Sequence, residues 1–185
     1  MEIFISTPRL ILRELIPSDA AGMFELDSDK DVHLYLGNQP LTHIDQSKEV
    51  IRLIRQQYEE NGIGRWAVIE KSTNRFIGWA GLKLVTTPVN GHVNYYDLGY
   101  RFIKQYWGKG YATECTKALL EYGFIKLQQE VIYAMTDAEN MASARVLEKN
   151  GFRQTGVFDD EGVPHKWFEI SKATWQPPLP TGDRH

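Results

Sequence analysis

The chain changes period at Gln105-Tyr106-Trp107-Gly108-Lys109-Gly110-Tyr111-Ala112, and that switch constrains the fold more than any other stretch. Before it lie three runs rich in aromatic and β-branched residues: Arg65 to Glu70, Phe76 to Leu84 and His92 to Phe102. Short polar stretches, Ser72-Thr73-Asn74 and residues 86–91, separate them, which predicts an antiparallel meander. After it the apolar positions follow a helical period from about Gly110 to Leu127, with Ala112, Cys115, Ala118, Leu119, Tyr122 and Ile125 on one face. A strand therefore passes through a glycine-bearing turn into a helix start. Such a start presents unpaired N–H groups and the positive end of the helix dipole, and Gly108 and Gly110 remove side chains that would hold a phosphate away. The turn either binds a pyrophosphate or merely joins strand to helix. It is no P-loop, because Gly-x-x-x-x-Gly-Lys-Ser/Thr is absent, and the dinucleotide pattern Gly-x-Gly-x-x-Gly fails at Thr113.

Around this centre the pattern reads as a mixed fold. Residues 8–16 predict a first strand, ended by Pro17. A helix follows with Ser18 as N-cap, Asp19 in its first turn and Phe24 and Leu26 as apolar contacts, and a second short helical stretch spans Ser28 to Leu36. A clearer helix begins at Thr42, with Thr42 and Asp45 at capping-box spacing, a stripe of Val50, Ile51, Ile54 and Tyr58, and a stop at Asn61-Gly62. Val131 to Met135 predicts a buried strand, and Asn140 to Asn150 a helix closed by Gly151. Phe152 to Phe158 and His165 to Ile170 then flank the turn at residues 159–162. The sum is an α+β fold of about seven strands and four helices. Residues 1–175 are expected as a single domain, and residues 176–185, with Pro177, Pro178 and Pro180, as a loose tail.

Composition narrows the function. Hydrophobic residues at 42% and aromatic residues at 12% supply a core, which excludes a disordered or fibrous chain. With 21 Lys+Arg against 24 Asp+Glu, a net charge of -3 and no basic run, nucleic acid is not expected as a partner. No window suits a membrane span and the start lacks the pattern of a secretory signal, so the expectation is a cytoplasmic protein. Cys115, the single cysteine, has no intrachain disulfide partner. The histidines, His33, His43, His92, His165 and His185, are scattered, and no metal is expected.

Three blocks, in order, carry a resemblance. Thr7-Pro8-Arg9-Leu10-Ile11-Leu12-Arg13, then Leu98-Gly99-Tyr100 with Tyr106 to Ala112, then Asn140-x-x-Ser143 through Glu148-Lys149-Asn150-Gly151-Phe152 are similar to motifs of the GCN5-related N-acetyltransferases. Within that superfamily the chain resembles the subgroup of ribosomal-protein alanine acetyltransferases, over residues 6–175.

The resemblance implies a splayed mixed sheet whose parallel strands, Leu98 to Phe102 and Val131 to Met135, part to admit acetyl-CoA. It assigns the pantetheine to the backbone of Tyr100, Arg101 and Phe102, with Asn140 and Ser143 beside it. The pyrophosphate falls to Gln105, Tyr106, Trp107, Gly108, Lys109, Gly110, Tyr111, Ala112 and Thr113. The implied reaction is direct acetyl transfer to a primary amine in a ternary complex. The N–H near Tyr100 would steady the developing oxyanion, and Asp97 would take a proton from the amine. Members of the subgroup often have Glu at that position, one methylene longer, and a strand-edge or hairpin carboxylate is the other reading of Asp97. Asn140 is either a helix cap or a pantetheine contact, and Ser143, Tyr133 or Tyr111 is the acid that protonates the leaving thiolate. Cys115, on an apolar helix face with no adjacent base, reads as a packing thiol rather than a nucleophile. Trp66, Trp79, Trp107 and Trp167 read as core or groove wall. The acceptor stays open between a protein N-terminus, such as that of a ribosomal protein, and a small amine, and the oligomeric state between monomer and homodimer. A non-catalytic acyl-CoA sensor and an acyltransferase with another acyl donor are the competing readings.

Overall fold

The computed structural model describes residues 3–177, so the expected tail lies, from residue 178 on, outside the described residues. One eight-stranded mixed sheet has the order β1-β2-β3-β4-β5-β6-β8-β7. The strands are β1 (Ile3–Ser6), β2 (Leu10–Arg13), β3 (Arg65–Glu70), β4 (Arg75–Val85), β5 (Tyr95–Phe102), β6 (Val131–Asp137), β7 (Arg153–Asp160) and β8 (Val163–Ser171). The helices are α1 (Ala20–Asp27), α2 (Ile44–Asn61), α3 (Tyr111–Glu121) and α4 (Met141–Lys149). All neighbouring strands pair antiparallel except β5 and β6. The mixed class is as the sequence predicts, with one strand more. The extra strand is β1, because Thr7 turns the chain: its N–H donates to the Leu10 carbonyl at 2.9 Å, and its hydroxyl accepts from the Leu10 N–H at 2.9 Å.

Strand alternation sorts the residues onto two faces. One face carries Trp66, Val68, Ala80, Leu82, Leu98, Ile132, Ala134, Phe168 and Ile170, all buried, and packs under α3 and α4. The other carries Arg65, Ala67, Trp79, Asp97 and Arg101, and over β2–β4 it is covered by α1 and α2. On that second face α1 reaches the end of β5, where Arg101 binds Asp27, and among the described residues no helix packs closely on β6 or β8 there. That part of the second face is thus left open by topology.

Three local expectations shift. The α2 cap moves one residue: His43 is the N-cap and its ring nitrogen accepts from the Asp45 N–H at 3.3 Å, while Gln46 Oε1 accepts from the His43 N–H at 2.9 Å. The longer amide reaches back where Asp45 does not. The expected helix over Ser28–Leu36 is a run of turns held by single bonds such as His33 N–H to the Asp29 carbonyl at 3.2 Å. The expected α3 stripe holds at Cys115 and Leu119 but fails at Ile125, which is 48% exposed. A π-turn over Tyr122–Lys126, closed by Leu127 N–H to the Tyr122 carbonyl at 3.0 Å, inserts one residue and rotates Phe124 inward instead. Among the described residues no helix is long and apolar enough to cross a membrane.

Candidate active site

β5 and β6 meet at a single pair, Asp97 with Tyr133. Beyond it Leu98–Phe102 keep β4 as partner, while the other edge of β5 has no strand beside it. An open edge is a row of unused donors and acceptors. This is the splay that the resemblance implies, and it carries Tyr100, Arg101 and Phe102. Their backbone is what the slot offers, for the Phe102 side chain is buried and the Arg101 guanidinium turns to the other face to bind Asp27 at 2.6 Å.

The turn that follows is built from backbone. A 3-10 turn over Lys104–Tyr106 sinks the Tyr106 ring, and the Trp107 indole N–H donates to the Phe102 carbonyl at 2.7 Å. Trp107 itself is 47% exposed and so lies in no core. Gly108 and Gly110 have φ of 72° and 80°, the left-handed region where a side chain is strained. A Cβ added at Gly108 would meet nothing within 4 Å, so space lies open above it. α3 has no side-chain cap, and its first helical bond runs from the Glu114 N–H to the Gly110 carbonyl at 3.0 Å. The amides of Tyr111, Ala112 and Thr113 therefore face outward at the positive end of the dipole. Gln105 and Lys109 are exposed along the same loop, and the Tyr111 side chain is buried.

Behind this loop stands a brace that sequence reading missed. Arg9 donates to the Lys109 carbonyl at 2.9 Å and to Glu114 at 2.6 Å, and its guanidinium lies 4.4 Å over the Tyr111 ring. Glu114 also accepts from the Thr7 hydroxyl at 2.6 Å. The only signal in the sequence was the opening Thr7-Pro8-Arg9 block, whose partners lie 100 to 107 residues away.

At the start of α4, Asn140 Oδ1 accepts from the Ser143 N–H at 3.1 Å, so Asn140 caps the helix. Ser143 Oγ is 3.1 Å from the Tyr100 hydroxyl, which also donates to the Ser143 carbonyl at 3.2 Å. These contacts bridge the slot from β5 to α4. Burial pushes the Tyr100 phenol up to about 12, with Ser143 pulling the other way, so it stays protonated near neutrality. The other two candidate acids lie elsewhere. The Tyr111 hydroxyl donates to Glu70, and the Tyr133 ring sits on the opposite face, 4.8 Å from His92. Cys115 is fully buried and burial raises its thiol, as befits a packing residue.

Asp97 points to the open face and is clamped by Arg65, a second residue missed in the sequence. Arg65 donates to Asp97 Oδ2 at 2.6 Å, to the Asp97 carbonyl at 2.8 Å and to the Gly81 carbonyl at 2.9 Å. The guanidinium lies flat over Gly99, where a Cβ would meet it at 2.8 Å. Gly99 thus gives Arg65 its path to Asp97. Burial raises the Asp97 carboxyl above its ordinary range, and Arg65 offsets part of that rise. A groove of about 710 Å³ between β1 and α3, lined by Arg9, Gly110, Thr113 and Glu114, adjoins the start of α3. Among the described residues no three His, Cys, Asp or Glu side chains gather to hold a metal.

A glycine-bearing helix start beside an open strand edge suits a thin, phosphate-bearing ligand. The acetyltransferase (GNAT) domain family matches residues 9–153, and the chain belongs to that family. It is an acetyl-CoA-dependent N-acetyltransferase, and the open space over Gly108, the outward amides and the free β5 edge fit that co-substrate. It is similar to the N-acetyltransferase p20 of Bacillus licheniformis, 31% identical over 154 residues, which are 83% of this chain and 84% of that protein. Two solved structures share the fold. RimL, a ribosomal L7/L12 α-N-protein acetyltransferase in complex with coenzyme A, has a TM-score of 0.75 at 16% identity over 92% of this chain and 98% of that one. Spermidine N-acetyltransferase of Vibrio cholerae, in complex with CoA and spermine, has a TM-score of 0.72 at 21% identity over 91% and 98%.

Proposed function

We propose that the chain transfers the acetyl group directly from acetyl-CoA to a primary amine while both are bound. The observation that carries this reading is the disposition of β5: Tyr100 and Ser143 on one face, Asp97 with Arg65 on the other, and the open strand edge between. Acetyl-CoA supplies a thioester, whose acyl carbon an uncharged amine attacks. The α3 amides at 111–113 and the two glycines hold the pyrophosphate, and the edge of β5 pairs with the pantetheine amides. Asn140 orders the first turn of α4 with its carbonyl oxygen and keeps its amide nitrogen for the pantetheine.

An aliphatic amine is mostly protonated at neutral pH, so a proton must leave before attack. Asp97, raised by burial yet held ionised by Arg65, accepts it directly or through a water. The N–H near Tyr100 donates to the developing oxyanion. Ser143, hydrogen-bonded to a phenol that stays protonated, passes a proton to the departing sulfur. Initial-rate kinetics with a reactive amine test the scheme: intersecting double-reciprocal lines are expected, and parallel lines with an isolable acetyl-protein would overturn it. Relatives of this fold act on small amines and on protein N-termini by name, and both acceptor classes belong in the first panel.

A further inference from the structure

The open face beside Asp97 has a pattern of its own. Strand register sets Lys83, Asp97, Tyr133, Glu169 and Arg153 in one row across β4, β5, β6, β8 and β7, all pointing to the acceptor side. Strands lie about 4.8 Å apart, so the backbones of Asp97 and Glu169 are roughly 10 Å apart with Tyr133 between them. Asp97 is engaged by Arg65. Glu169, half-buried, makes no salt bridge or side-chain hydrogen bond among the described residues, and exposed Arg153 beside it stays unpaired.

The ground between the two carboxylates is aromatic. Trp167 is 2% exposed, and its indole N–H is buried without a partner. His92 stacks on it at 5.0 Å and 15°, while Tyr95 and Tyr133 each stand 5.4 Å from it. His92 arrives on a tight turn whose ends, Val89 and His92, exchange two bonds of 2.9 Å, with Asn90 and Gly91 in the left-handed region. The phenol of Tyr95 is raised first by burial and then by the charges of Asp97 and Asp160. Aromatic faces flanked by carboxylates attract cations.

We propose that this face takes a linear aliphatic diamine: the reacting amine lies at Asp97, the second ammonium pairs with Glu169, and the chain between them crosses the Tyr133 ring. The proposal rests on the acetyl-transfer reading and adds the substrate class. In the reaction the first nitrogen forms the bond to the acetyl carbon as the carbon–sulfur bond breaks. Its proton goes to Asp97, the thiolate takes one from the Ser143 side, and the second ammonium stays charged throughout.

The test compares octylamine with diamines from butane- to decane-diamine, following thiol release from acetyl-CoA in the wild-type protein, Glu169→Gln and Glu169→Asp. Octane-diamine is expected to exceed octylamine at least about tenfold in kcat/KM, consistent with one ion pair plus a cation–aromatic contact. That ratio should fall toward one in Glu169→Gln and recover in part in Glu169→Asp. Equal kcat/KM for the two amines, or a preference that survives Glu169→Gln, overturns the diamine while leaving acetyl transfer standing. Should no amine be acetylated although acetyl-CoA binds, the acetyl-transfer reading fails. Calorimetry of octane-diamine with the CoA complex then decides the diamine alone: no binding, or binding unchanged in Glu169→Gln, overturns it.

Discussion

The two sides of β5 are made of different materials. On the α3 side the proposed co-substrate slot is mostly backbone: an unpaired strand edge, two left-handed glycines and the amides of one helix start. On the other side the proposed acceptor face is mostly side chains, Asp97, Arg65, Tyr133, Trp167 and His92, gathered from four strands and a turn. Backbone donors read a feature common to every CoA ester, whereas side chains can change without disturbing the sheet. One strand can therefore keep its co-substrate while its acceptor varies.

The largest break in this comparison should come from Asp97→Asn. It removes the proposed base and leaves the α3 side untouched, so kcat should fall about 100-fold or more while the acetyl-CoA Kd stays within about twofold. A matching loss of acetyl-CoA affinity would mean that the two sides are not separable. Gly108→Val works in the opposite sense. Strain at φ 72° and a side chain in the phosphate space should weaken acetyl-CoA at least about tenfold, with a thermal melt confirming that the fold survives. Unchanged affinity would remove the loop from the co-substrate site.

Ser143→Ala deletes one hydrogen-bonding partner across the slot and should cost about three- to tenfold in kcat, measured at saturating acetyl-CoA. No change would leave the Tyr100 phenol as the sole acid on that side. The smallest effect sharpens the acceptor side. If Asp97 is the base, its carboxylate must be ionised, so kcat/KM should fall as pH drops through its raised pKa. Arg65→Met removes the charge that restrains this rise, so the acid limb should move to higher pH. A limb that stays in place would separate Asp97 from the titration.

The same division governs what was legible in the sequence. Gly108 and Gly110 announce the slot because a left-handed backbone at a helix start needs glycine, a requirement written locally. The meander, α2, α4 and most of the sheet follow from local periodicity for the same reason. Asp97 was visible, but the hand that holds it was not: Arg65 lies 32 residues away and reaches it only because Gly99 lacks a side chain. Asn140 stayed open between cap and pantetheine contact in the sequence until the Ser143 N–H bond showed the cap, whereas the Tyr100 to Ser143 contact spans 43 residues and no short pattern predicts it. Ile125 was misjudged because a regular helical period does not foresee a π-turn. Glu169 and His92 carried no motif, and strand register was needed to bring them to the same face as Asp97.

The brace from Arg9 to Glu114 joins residues 105 apart in the chain. During synthesis the arginine emerges 105 residues ahead of its carboxylate partner and waits until that stretch has followed it. Contacts of such long separation form late and slowly. The nascent chain can assemble its early strands and helices well before the Arg9 brace closes behind the 105–112 loop.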